Sequence, residues 1–376
     1  MDQSSQGGAR IMILHRYLAR KFLLAFLVVF AIFSALSLMI DFMEHIRKFS
    51  GLDQDIWAIS KLVSLAYPSK IYEIVPLIMV ISSIAAFLSL SRTSELVIAR
   101  SAGRSALRFL AGPILTVLTL GVGFVAVMNP IVAGTSKQYE SAVAQTQGDS
   151  ANLLSVSANG IWLRQAGGGE QILIRATQGS LDGTVLTGVT FLVFDTEGHP
   201  QKRIEADAAT LNIGSWDLRG VYTWDLNRGT GPAQQRVRQD VLTIPTNLTL
   251  NQIRDSFGAP SAISIWKLPA FIGQLENAGF SARRHTVWFQ MQIALPAFLL
   301  AVALIGAAFT IAPSRVQNSG MMVLTAVICG FGLYFVRNFA KLLAENGQLD
   351  PGLAAWVPPL AAIGLALAMI LQREDG

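Results

Sequence analysis

Charge is scarce in this sequence: Asp, Glu, Lys and Arg make up 14% of 376 residues, while 52% are hydrophobic. Soluble domains carry about 25% charged residues, so the shortage excludes an ordinary water-soluble globule of this length. A single cysteine, Cys329, excludes a disulfide framework, and its place inside an apolar run marks a small packing residue. The four histidines, His15, His45, His199 and His285, have no metal-ligand spacing, so no metal is expected. The chain also lacks G-x-x-x-x-G-K-[ST], HExxH, GxSxG and any glycine-rich loop between strand and helix. Without these it has no recognisable means of hydrolysing ATP or of covalent catalysis. The expectation is a non-catalytic chain that binds no cofactor and draws any energy, such as that of ATP, from a partner.

What is present is apolar length. The mean hydropathy is +0.47, and a bilayer core of ~30 Å needs ~20 apolar residues in a helix. Six stretches meet that measure, near 22–40, 72–90, 107–128, 287–312, 320–340 and 353–371. The first imitates a signal peptide, but its core from Phe22 to Ile40 exceeds the ~7 to 15 residues of a secretory leader, so it reads as a retained span. The second helix can start earlier, near Ala58, as an extension beyond the membrane. The formal net charge of +5 and a pI near 9.5 are read as topology, not as nucleic-acid binding. Arg10, Arg16, Arg20 and Lys21 precede the first span, Arg92, Arg100, Arg104 and Arg108 separate the second and third, Arg315 separates the fourth and fifth, and Arg373 follows the sixth. All fall on one side, which the positive-inside rule makes cytoplasmic, with both termini.

A different composition fills 129–282. "GIWLRQ", "QILIRATQG", "TVLTGVTFLVFDTEGHPQKRIEADAATLNI", "WDLRGVYTWDL" and "DVLTIPTNL" are rich in Val, Ile, Thr and aromatics and are separated by Gly, Asn, Asp and Pro. They predict an antiparallel sandwich or open jelly roll on the outer side. "ISIWKLPAFIGQLENAGFSARRH" predicts an amphipathic helix returning to the bilayer. "NLT" at Asn247 matches a glycosylation acceptor, a three-residue pattern of little weight.

Between the second and third spans stands "SRTSELVIARSAGRS", residues 91–105. Ser91 suits a helix N-terminus, Arg92 and Glu95 share a face, Glu95 sits in the first turn, and Gly103 suits a stop. The segment is either a solvated loop whose arginines enforce topology or a coupling helix. In the second case Glu95 pairs with a basic residue of a cytosolic motor, and Leu96 and Val97 fill a shallow pocket on it.

Taken together, "RYLARKFL", "VPLIMVISSIAAFLSLSRTSELVIARSAGRS", "TNLTLNQI" and "RRHTVWFQMQIALPAF" resemble the permease subunits of bacterial lipopolysaccharide export, the LptF/LptG family. The resemblance covers essentially the whole chain, and "SELVIARSAGRS" is its most specific part. It implies a bacterial inner-membrane protein whose six transmembrane helices carry an inserted periplasmic antiparallel β-jellyroll-like domain. The segments are then an N-terminal arm at 1–21, helices one to three at 22–128 with the coupling helix at 91–105, the β domain at 129–282, and helices four to six at 283–376. The implied partners are an LptF-like sister permease, an LptB-like cytosolic ATPase dimer, the periplasmic proteins LptC and LptA, lipopolysaccharide and membrane lipid. The coupling glutamate of the family falls on Glu95.

Five cations lie toward the outer leaflet: Arg47 and Lys48 after the first span, Lys70 between Pro68 and Pro76, and Arg337 and Lys341 four apart on the fifth. They are either snorkelling anchors at helix ends or a basic rim for the phosphates of lipid A. In the family a lysine stands late in the first helix, where this chain has Asp41, and another follows the first proline of the second, where it has Ser69 beside Lys70. Asp41 and Glu44 are placed to pair with Arg47 and Lys48, which would leave fewer free cations. The rival readings are the sister subunit of the LptF type, a membrane-anchored periplasmic adaptor without transport activity, and an intramembrane enzyme. The coupling segment and six spans disfavour the adaptor, and the absence of convergent catalytic groups disfavours the enzyme.

Overall fold

A computed structural model describes residues 3–49, 56–92, 106–147, 154–157, 160–167, 170–180, 184–195, 197–226, 237–246, 248, 259–277, 280–310 and 319–375. The chain forms two compact units, one of residues 1–142 and 287–376 and the other of 143–286.

The first unit is helical, because in lipid only a helix satisfies every backbone N–H and C=O within one segment. Its elements are α1 (Gln3–Phe49), α2 (Ile56–Arg92), α3 (Ala106–Gly123), α4 (Asn129–Gln147), α6 (Arg283–Ile293), α7 (Leu295–Thr310), α8 (Ser319–Glu345) and α9 (Pro351–Asp375), with α5 (Leu268–Asn277) belonging to the second unit. Five continuous segments are long and apolar enough to cross a membrane, at 15–48, 56–91, 109–143, 320–345 and 351–372. The sixth is α6 with α7, bent by 49°. Pro296 explains the bend, since its missing N–H cannot reach the carbonyl four residues back. A π-helical turn over Phe124–Met128 joins α3 to α4, and the third span therefore runs past 128 as one continuous helix to Gln147. The β unit accordingly starts later than the composition change at 129.

The core of this unit centres on α7, which packs against α2, α3, α8 and α9. Phe298, Leu299, Val302, Leu304 and Ala307 of α7 are buried with Ile78, Met79 and Phe87 of α2. α1 adds Leu18, Phe22 and Phe26, four residues apart and so on one face, and Phe22 and Phe26 meet Phe87 and Phe124. Only 11% of the most apolar stretch of α1 is buried, and 11% of that of α8, against 61% in α2. Both leave a long apolar face uncovered.

The second unit holds β1 (Leu154–Ser157), β2 (Gly160–Gly167), β3 (Glu170–Ala176), β4 (Gln178–Gly179), β5 (Val185–Phe194), β6 (Pro200–Asn212), β7 (Ser215–Asp225) and β8 (Val237–Pro245). All pair antiparallel in the order β1-β2-β3-β5-β6-β7-β8, with β4 on β5. Inward residues alternate as Val189, Phe191 and Val193 on β5, but Leu186 stands out of phase with them. The same change of phase separates Ala206 from Ala209 on β6 and Leu218 from Val221 on β7. Gly188 and Gly220 mark this line with φ of 60° and 65°, where side chains are strained. The line is a corner at which three strands bend together, and it curls the sheet over a core that includes Phe191 and Trp216. The expected amphipathic helix before the fourth span is shorter than its sequence suggested: α5 ends at Asn277 and α6 opens separately at Arg283, with Leu275 and Phe280 packed on the β core.

Candidate functional site

Arg337 and Lys341 stand one turn apart on α8 and both line a cavity of about 130 Å3, together with Tyr72, Glu73, Trp288 and Gln292. Each element brings its residue there for a local reason. The bend between α6 and α7 turns the end of α6 toward the cavity, and Nη2 of Arg337 donates to the Met291 carbonyl at 3.4 Å. That distance is long for a hydrogen bond. The guanidinium also lies 4.8 Å from the centre of the Phe298 ring, a cation–π contact that holds its plane without consuming its donors. Nζ of Lys341 sits 5.2 Å from the Trp288 ring and 3.7 Å from Oε1 of Glu345. Tyr72 and Gln292 of the same lining are buried. The Tyr72 hydroxyl donates to Oε1 of Gln292 at 2.5 Å. The cavity thus sets two oriented cations beside the carboxyl group of Glu73, and the two cations are suited to an anionic oxygen group.

Of the five cations expected at one rim, the structure brings these two together. Lys70 is exposed on α2 three residues before Glu73, and Arg47 and Lys48 are exposed on the last turn of α1; none of the three lines the cavity. Asp41 points inward and is 4% exposed. Sequence reasoning missed Tyr72, Glu73, Trp288 and Gln292. The available signal was polarity inside the apolar runs "IYEIVPL" and "FQMQIALP". Arg92 is the last residue of α2, and Ser91 continues that helix instead of capping a new one. Glu95, Leu96 and Val97 lie outside the described residues, as does Asn247.

The β unit has its own cleft of about 630 Å3. Ile172, Val193, Ile204 and Ile244 line it, with Lys202 and Gln239 among its polar residues. β2 and β8 are not neighbours in the sheet, yet Nε2 of Gln165 on β2 donates to the Pro245 carbonyl at 2.9 Å, and the Thr246 hydroxyl donates to Oε1 of Gln165 at 2.7 Å. These bonds pin the curled sheet at one end beside the cleft. Its apolar floor suits a hydrocarbon chain.

Residues 16–372 match the family described as lipopolysaccharide export system permease LptF/LptG. Among curated proteins the chain is 24% identical over 366 residues to the lipopolysaccharide export system permease protein LptG of Haemophilus influenzae, covering 96% of this chain and 99% of that one. It is 21% identical over 365 residues to the LptG of Escherichia coli strain K12, again covering 96% and 99%.

Proposed function

Because the chain belongs to the lipopolysaccharide export system permease LptF/LptG family, we propose that it is the LptG-type transmembrane subunit of an ABC transporter. It extracts lipopolysaccharide from the outer leaflet of the inner membrane and passes it to a periplasmic bridge. The subunit is non-catalytic and binds no cofactor of its own. An LptB-like ATPase dimer hydrolyses ATP in the cytoplasm and engages the segment around Glu95, an LptF-like subunit completes the permease, and LptC and LptA receive the lipid. Both termini are cytoplasmic and the β unit is periplasmic, a topology that the arginine asymmetry between spans supports. The relatives matched along almost the whole chain bear the name LptG, which favours that subunit over LptF.

The observation that carries the substrate side of this reading is the pairing of Arg337 and Lys341 on one cavity wall. An ionisable side chain among apolar helices is costly unless it faces a cavity or a partner, and each charge-assisted hydrogen bond to a phosphate is worth roughly 1.5 to 3 kcal/mol. A photo-crosslinking residue at Asn338, which lines the same cavity, is expected to capture lipopolysaccharide in intact cells. Arg337→Glu with Lys341→Glu is expected to reduce that adduct at least tenfold while expression and subunit assembly persist. An assembled double variant that crosslinks as wild type would remove these two residues from substrate binding.

A further inference from the structure

α1 turns one side to its own bundle, through apolar residues from Leu18 to Phe33 and then through a polar patch near its C-terminal end. Near its N-terminal end Leu18, Phe22 and Phe26 are buried and packed in the apolar core. Near its C-terminal end the inward residues are Asp41 and His45, also four apart, while Leu36, Met39, Ile40 and Met43 are exposed. The second patch is therefore polar where the first is apolar. Nδ1 of His45 lies 2.8 Å from the Asp41 carbonyl of its own helix, and Nε2 lies 3.0 Å from the Tyr139 hydroxyl on α4. A carbonyl can only accept, so Nδ1 carries the hydrogen. Nε2 and the Tyr139 hydroxyl share the second hydrogen bond of the ring. The two rings meet edge to face at 5.8 Å.

Asp41 is 4% exposed, and its Oδ2 has no hydrogen-bond partner among the described residues. A buried carboxyl oxygen without a partner opposes the arrangement that buries it. At the docked end of α1, the bond between His45 and Tyr139 is one that water can replace, and Asp41 is a group that water would solvate. From this geometry we propose that His45 and Tyr139 form a releasable latch between α1 and α4, with Asp41 as the built-in bias toward release. The C-terminal end of α1 moves as a strap, carrying Arg47 and Lys48 on its last turn between a docked and a released position. The latch is a property of this chain alone. Only its consequence, that release repositions two cations for a lipid headgroup, rests on the transport reading.

The test uses the full chain, with its co-purifying subunits, in lipid vesicles without lipopolysaccharide. Spin labels on Met43→Cys and Gln138→Cys in a Cys329→Ser background report the α1 to α4 distance, both sites being exposed. Two distance components are expected. Asp41→Asn should shrink the longer component at least threefold and Tyr139→Phe should enlarge it at least threefold, opposite effects from two near-isosteric changes. His45→Phe removes the same bond from the other side and should act like Tyr139→Phe if that variant fails to assemble. One unchanged distance in every variant, or a longer component that grows in Asp41→Asn, overturns the latch. A cleavable thiol crosslinker joining His45→Cys to Tyr139→Cys should then block lipopolysaccharide export until it is cleaved. Distances that respond as expected while the crosslinked protein exports normally uphold the latch and overturn its link to transport.

Discussion

Tyr72 shows how a single polar atom is accommodated where the chain is otherwise apolar. Its ring packs against Phe124 at 6.3 Å and its hydroxyl reaches Gln292, which is 3% exposed. Tyr72→Phe keeps the ring contact and strands the Gln292 oxygen in a buried site, a loss of about 1 to 3 kcal/mol. Thermal unfolding of the purified protein in detergent should show a lower Tm for this variant; a superimposable curve would mean that the bond contributes nothing. The pair was not legible in the sequence because its members are 220 residues apart and neither run marks the other. Arg337 and Lys341 were legible together, since residues four apart on a helix share a face. Arg47, Lys48 and Lys70 were grouped with them by height along the spans alone. Height says nothing about direction around the helix axis, and direction decides which side chains line one cavity.

Spans are the most legible elements here, because a bilayer sets a length that an apolar run either reaches or does not. The six expected stretches correspond to five continuous helical segments and the bent pair α6 and α7. The run length could not show that α4 continues to Gln147, since "NPIVAGTSKQYESAVAQTQ" is helical without being uniformly apolar. Strand periodicity likewise located β5, β6 and β7 but not the corner at Gly188 and Gly220, where the inward phase shifts within each strand. Beyond the end of α2 at Arg92 the segment carrying Glu95 lies outside the described residues, and its coupling role is a reading of the sequence and of the family. If Glu95 meets a basic residue of the ATPase, Glu95→Lys places like charges in one interface, which costs several kcal/mol. Co-purification of the ATPase should fall at least tenfold while membrane insertion is retained. Undiminished co-purification together with undiminished export would remove Glu95 from the coupling.

At the scale of the whole molecule, the chain comprises a helical unit whose small cavity holds Arg337 and Lys341 with Glu73, and a β unit with a larger apolar cleft. Each cavity suits one end of an amphiphile: oriented cations for an anionic headgroup, and a hydrocarbon floor for acyl chains. α1 and α8 leave most of their apolar surface uncovered within the chain, the condition expected of helices that face lipid, substrate or a second permease subunit. The proposed function places ATP hydrolysis on another subunit. That proposed function is the ATP-driven removal of lipopolysaccharide from a membrane to an acceptor on the side of the β unit. The measurement that tests it is lipopolysaccharide release from vesicles holding the chain with its co-purifying subunits, β unit outward, ATP sealed inside and a soluble periplasmic acceptor outside. The account predicts release that requires the enclosed ATP and is lost with Arg337→Glu and Lys341→Glu. Release that proceeds equally without enclosed ATP, or an acceptor that stays empty while ATP is consumed, would contradict it.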